Sequence, residues 1–94
     1  MATYILLGTL TDEGAEKLRS HPEWVDEANR VLEEIGVKVI AQYAVLGPYD
    51  LVNIIEAPDN RAVVRVSTQL SLHGSVRITT LPALPVEDFL GTLK

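Results

Sequence analysis

Gly47-Pro48-Tyr49-Asp50 separates two apolar runs, Val37 to Leu46 and Leu51 to Glu56, and its reading decides the fold. Pro48 presets φ for a β-turn, Gly47 tolerates backbone angles closed to other residues, and Asp50 can accept hydrogen bonds from nearby turn amides. The two runs are therefore expected to pair as a central β-hairpin. Symmetric pairing about a tight turn sets Ala44 opposite Asn53 and Gln42 opposite Ile55. Alternation then sorts the side chains. One face carries Val39, Ala41, Tyr43, Val45, Val52 and Ile54. The other carries Ile40, Gln42, Ala44, Leu46, Leu51, Asn53 and Ile55, apolar apart from two carboxamides.

On the N-terminal side, Thr3 to Thr9 is a short apolar run that reads as a strand buried on both faces. Thr11 to Arg19 has Asp12 and Glu13 early and Lys17 and Arg19 late, the order that suits a helix dipole, although Gly14 weakens its first turn. Ser20 and Glu23 stand at capping-box spacing with Pro22 between them, which predicts a fresh helix over Pro22 to Ile35. Its apolar stripe is Trp24, Ala28, Val31 and Ile35, widened by Val25 and Leu32, and Gly36 stops it. Beyond the hairpin, Ala57-Pro58-Asp59-Asn60 ends the strand and caps a second helix, Arg61 to Leu72. Ala62, Val63, Val66 and Leu70 form its buried stripe. His73-Gly74 closes that helix. Ser75 to Leu81 alternates as a fourth strand, with Pro82 and Pro85 ending the sheet and Val86 to Leu93 forming amphipathic turns.

A chain of 94 residues that is 47% hydrophobic sustains one domain, spanning residues 1–94, with a modest core. Thirteen acidic and eight basic residues give a charge of -5, which argues against binding nucleic acid or an acidic membrane surface. There is no cysteine, hence no disulfide, thiolate nucleophile or thiolate metal site. No apolar stretch approaches the ~20 residues of a membrane span, and cytoplasm is the expected location. The order strand, helix, strand, strand, helix, strand is the split βαβ pattern of an α+β, ferredoxin-like domain: a four-stranded antiparallel sheet with both helices on one face. The face expected to stay open, with Ile40, Leu46, Leu51, Ile55 and Leu81, is too apolar for water, and a homodimer or a higher oligomer would cover it.

Four stretches add a resemblance: residues 3–14 (Thr3-Tyr4-Ile5 through Glu13-Gly14), Gly47-Pro48-Tyr49-Asp50-Leu51-Val52, Glu56-Ala57-Pro58-Asp59, and Val76-Arg77-Ile78-Thr79-Thr80-Leu81-Pro82-Ala83. Together they make the chain similar to the GYD domain family, named for its Gly-x-Tyr-Asp turn. The resemblance implies a dimeric α+β barrel. It brings no established active site.

Gln42, Asn53, Arg77 and Thr79 are the candidate ligand-binding residues, expected to set polar groups among apolar neighbours on the open face, as small-molecule pockets do. Alternatively, they hydrogen-bond one another or water across a dimer seam. Arg77 keeps its charge when buried, so an anionic ligand group is expected beside it. Gly47, Tyr49 and Asp50 form the turn motif, with Asp50 read as structural. Tyr4 and Tyr43 are expected in the core and Trp24 between helix and sheet. His21 and His73 fall at helix ends, with no carboxylate at ligand spacing beside either, so no metal is expected. No phosphate loop or nucleophile triad occurs, and no cofactor is expected. Two functions follow: a non-catalytic homodimeric module binding a small apolar or anionic ligand, or, from the fold alone, a cofactor-free oxygenase or isomerase of the dimeric barrel type.

Overall fold

A computed structural model describes residues 1–71 and 74–94. The first strand, β1 (Ala2–Leu10), turns Tyr4, Leu6 and Gly8 inward, all buried, while Thr3, Ile5, Leu7 and Thr9 on its other side are half-buried. Thr11 then caps the helix α1 (Asp12–Ser20), its hydroxyl accepting from the Gly14 amide at 3.0 Å. A second helix, α2 (Trp24–Ile35), follows almost at once and ends at Gly36, whose φ of 90° is left-handed. The expected capping box is not formed. Ser20 closes α1 instead, donating to the Glu16 carbonyl at 3.0 Å, and α2 starts at Glu23 without a side-chain cap. The i−4 carbonyl was the nearer partner, because α1 runs one residue longer than its charge pattern indicated.

Strands β2 (Lys38–Ala44) and β3 (Leu51–Ala57) form the hairpin, and helix α3 (Asn60–Ser71) follows. Asp59 accepts from the Ala62 amide at 3.0 Å, and Ala62, Val63 and Val66 are buried, as the apolar spacing predicts. The helix end expected at Leu72 and the stop at His73 lie outside the described residues. The last elements are β4 (Val76–Ala83) and the short helix α4 (Val86–Gly91). Pro82 lies inside β4 and does not end it. That strand is at the sheet edge, where a missing N–H costs no inner ladder bond.

The sheet is antiparallel in the order β2-β3-β1-β4. With the helices it gives an α+β ferredoxin-like fold, 17 Å across its thinnest dimension, the depth of two layers. The core lies between the sheet and the helices: Tyr4, Leu6, Leu32, Val37, Ile55, Ala57 and Val66, with Ile35, Val39, Leu70 and Ile78 packed against them. No helix among the described residues is long and apolar enough to cross a membrane.

The hairpin's faces are the reverse of the sequence expectation. Ile55 is 0% exposed and pairs with the buried Tyr4, so Leu51, Asn53 and Ile55 turn toward the helices, together with Gln42 and Ala44. Ala41, Tyr43, Val52 and Ile54 lie on the open side, and Tyr43, expected in the core, is 58% exposed. The register also differs. Gln42 opposes Asn53 and Ala44 opposes Leu51, because the connection is a six-residue loop, not a tight turn. A bulge at Ile40 then brings Val39 opposite Ile55 and onto the helix side.

Candidate functional site

The loop Val45 to Asp50 is closed by the Val45 amide donating to the Asp50 carbonyl at 2.9 Å. Gly47 adopts φ of 122°, a region that excludes side chains, and Leu46 is fully exposed at the tip. Beyond closing the loop, Asp50 reaches back to β1. Its amide donates to the Gly8 carbonyl at 2.8 Å and its Oδ2 accepts from the Leu10 amide at 2.8 Å, so backbone and side chain together clasp the end of β1. The side chain was expected to accept from turn amides; it accepts from β1 instead.

A similar clasp holds the next segment. The Thr11 amide donates to the Ser75 carbonyl at 3.1 Å and its hydroxyl donates to the Gly74 carbonyl at 2.7 Å. Gly14 sits so close to this segment that a Cβ there would lie 1.8 Å from the Ser75 oxygen. The glycine that weakens the first turn on propensity is thus required by packing.

Beneath α2 the sheet and helices leave a cavity of about 250 Å³. Its origin is legible in residue size. Gly8 interrupts the row of large inward side chains on β1, while Ala28 above and Ala44 below add little bulk, and Trp24, Leu32, Leu51 and Ile78 complete the apolar wall. Three carboxamides form its polar corner. Asn29 Nδ2 donates to Gln42 Oε1 and Gln42 Nε2 donates to Asn29 Oδ1, both at 3.0 Å, and Gln42 Nε2 also donates to Asn53 Oδ1 at 2.8 Å.

Gln42 and Asn53 are therefore brought together, but Arg77 and Thr79 are not. Those two lie on β4 opposite Thr9 and Leu7, exposed on the open face of the sheet, so the four candidates do not line one cavity. Arg77 is on an edge strand and its guanidinium needs no buried counter-ion. The residue that sequence reasoning missed is Asn29. It stands four after Val25 and three before Leu32, a polar residue at the margin of the apolar stripe, and that placement was the available signal.

His21 has carboxylate neighbours that sequence spacing did not reveal: Nδ1 lies 3.2 Å from Glu23 and Nε2 3.0 Å from Glu27, all three largely exposed. The short bend between α1 and α2 places them together. Among the described residues no cluster of three His, Cys, Asp or Glu could hold a metal ion. His73 lies outside those residues.

The sequence profile of the GYD domain matches residues 4–93. The chain belongs to the GYD domain family. A relative from Thermus thermophilus called "Glutamine synthetase and cystathionine beta-lyase binding protein" is 53% identical over 95 residues and is aligned along the full length of both proteins. The crystal structure of TTHA0845 from the same organism is similar with a TM-score of 0.59 and 28% identity, covering 90% of this GYD domain and 95% of that chain. In this GYD domain the Gly-x-Tyr-Asp residues are Gly47, Tyr49 and Asp50, and the clasp on β1 is the structural work of the last of them.

Proposed function

We propose that this GYD domain is a non-catalytic homodimeric module of the cytoplasm that binds metabolic enzymes and carries a site for a small, largely apolar ligand. The observation that carries the reading is the full-length relative with 53% identity, named as a binding protein for two enzymes. The chemistry agrees. Among the described residues no carboxylate, histidine, lysine or arginine lines the cavity beneath α2, and its titratable lining residue, Tyr43, belongs to the opposite face of the sheet.

Support for the dimer comes from what a single chain leaves uncovered. Ile5, Leu7, Val52 and Ile54 form a half-buried apolar field on the open face, flanked by Tyr43 and Leu81 at 58% and 43% exposure. The C-terminal arm adds Leu84, Val86, Phe89, Leu90 and Leu93, each at least half exposed. Apolar surface of this kind is covered in a stable soluble assembly, and a second copy supplies the same surface by symmetry.

The test is sedimentation of the purified protein with glutamine synthetase and with cystathionine β-lyase from its own organism. Co-sedimentation with either enzyme, at a stoichiometry fixed by a dimer, is the expected result. Failure to bind both overturns the protein-binding role, and a monomer mass by light scattering at micromolar concentration overturns the dimer.

A further inference from the structure

The cavity beneath α2, a cleft open to solvent on one side, combines two features that specify a ligand: apolar walls and a corner made of carboxamides. We propose that it binds a small neutral molecule with a ring-sized apolar body and a carboxamide-type head. The assignment rests on the reading of this domain as a non-catalytic binder and names the ligand class.

Size sets the body. About 250 Å³ exceeds the ~150 Å³ that accommodates a benzene molecule in an apolar protein cavity, and leaves room for a ring and one substituent. The wall offers Trp24 for ring contact, with Leu32, Leu51 and Ile78 around it.

Polarity sets the head. Asn29 and Gln42 bind each other reciprocally, and Gln42 spends its second N–H on Asn53 Oδ1. The hydrogen bonds among the described residues leave one N–H on Asn29, both N–H groups of Asn53, and unused lone pairs on all three oxygens. Donors and acceptors are thus presented side by side. A carboxamide or similar group, which also donates and accepts, matches that corner. A carboxylate only accepts, so the free lone pairs of the corner would face its negative charge with no cation among the described lining residues. An ammonium only donates and would leave the spare N–H groups of Asn29 and Asn53 facing its positive charge. Arg77, the cation that would have favoured an anion, lies on the other face of the sheet.

The test uses ¹⁵N-labelled protein titrated with benzamide, benzoate and toluene, following the Trp24 indole N–H and the side-chain amides of Asn29, Gln42 and Asn53 by NMR. Benzamide should give saturable shifts at these four groups and bind about tenfold or more tightly than benzoate, because only the carboxamide meets both donors and acceptors of the corner. Gln42→Leu, a change at an exposed position, should reduce benzamide to the affinity of toluene. Ala28→Phe, which fills the chamber, should abolish binding of all three while leaving the mass in solution unchanged. Absence of saturable shifts, benzoate binding as well as benzamide, or wild-type benzamide binding by both variants would each overturn the proposal. Partner sedimentation on the same samples separates the two readings, since loss of the small-molecule site alone leaves the enzyme-binding role standing.

Discussion

Asp50 Oδ2 accepts the Leu10 amide hydrogen at 2.8 Å, joining the hairpin loop to the end of the first strand across 40 residues of sequence. The same residue's amide takes the Gly8 carbonyl, so two backbone groups of β1 that the sheet would leave open are satisfied by one side chain and its own backbone. Asp50→Ala should therefore lower unfolding stability by about 1–3 kcal/mol, because the half-buried Leu10 amide loses its partner. Asp50→Asn, which keeps an acceptor, should lose less. Urea denaturation checks both, and an unchanged midpoint for Asp50→Ala would show that the clasp contributes nothing.

Gly14 makes the opposite prediction to its helix propensity. Replacing an exposed helical glycine by alanine stabilises by up to about 1 kcal/mol. Here the new methyl would meet the Ser75 carbonyl, a backbone atom that cannot swing aside, so Gly14→Ala should destabilise by about 1–3 kcal/mol. Gly91, with nothing within 4 Å of its would-be Cβ, is the control, and Gly91→Ala should leave the melting temperature unchanged or slightly raised.

Tyr4 is buried at 4% exposure and its hydroxyl donates to Asn60 Oδ1 at 2.6 Å, tying β1 to the first residue of α3. Tyr4→Phe keeps the ring and removes only the bond. A loss of about 0.5–1.5 kcal/mol is expected by thermal or chemical unfolding. A loss as large as that of Tyr4→Ala would mean that the hydroxyl, and not the ring, holds the helix.

Neighbouring residues of β3 should fail in different ways. Ile54 faces the open side, where Ile54→Lys should leave a folded chain of monomer mass by light scattering. Ile55 is 0% exposed in the core, and Ile55→Lys should abolish cooperative unfolding altogether, since a buried lysine has no counter-charge there. A folded dimer from Ile54→Lys would place the interface elsewhere.

Element order was legible because it is written in local terms. The stripe Ala62, Val63, Val66 and Leu70 gave α3, Gly36 gave the end of α2, and Asp59 gave a cap, each through contacts within a few residues of itself. The capping box at Ser20 failed on the same local scale, where a carbonyl of the preceding turn competed for the hydroxyl and won.

What the residues determined by themselves was the βαββαβ order and the grouping of Gln42, Ala44, Leu51 and Asn53 on one face. Which hairpin face would be buried was decided only in the tertiary structure. Both faces are apolar enough to enter a core, so alternation is degenerate between them. The choice falls to long-range pairing: Tyr4 against Ile55, Leu6 against Asn53, and Asn29 of α2 reaching across to Gln42. Carboxamides that look misplaced in an apolar layer become acceptable there because a third one meets them, and that meeting joins a helix residue to a strand residue thirteen positions further along the chain.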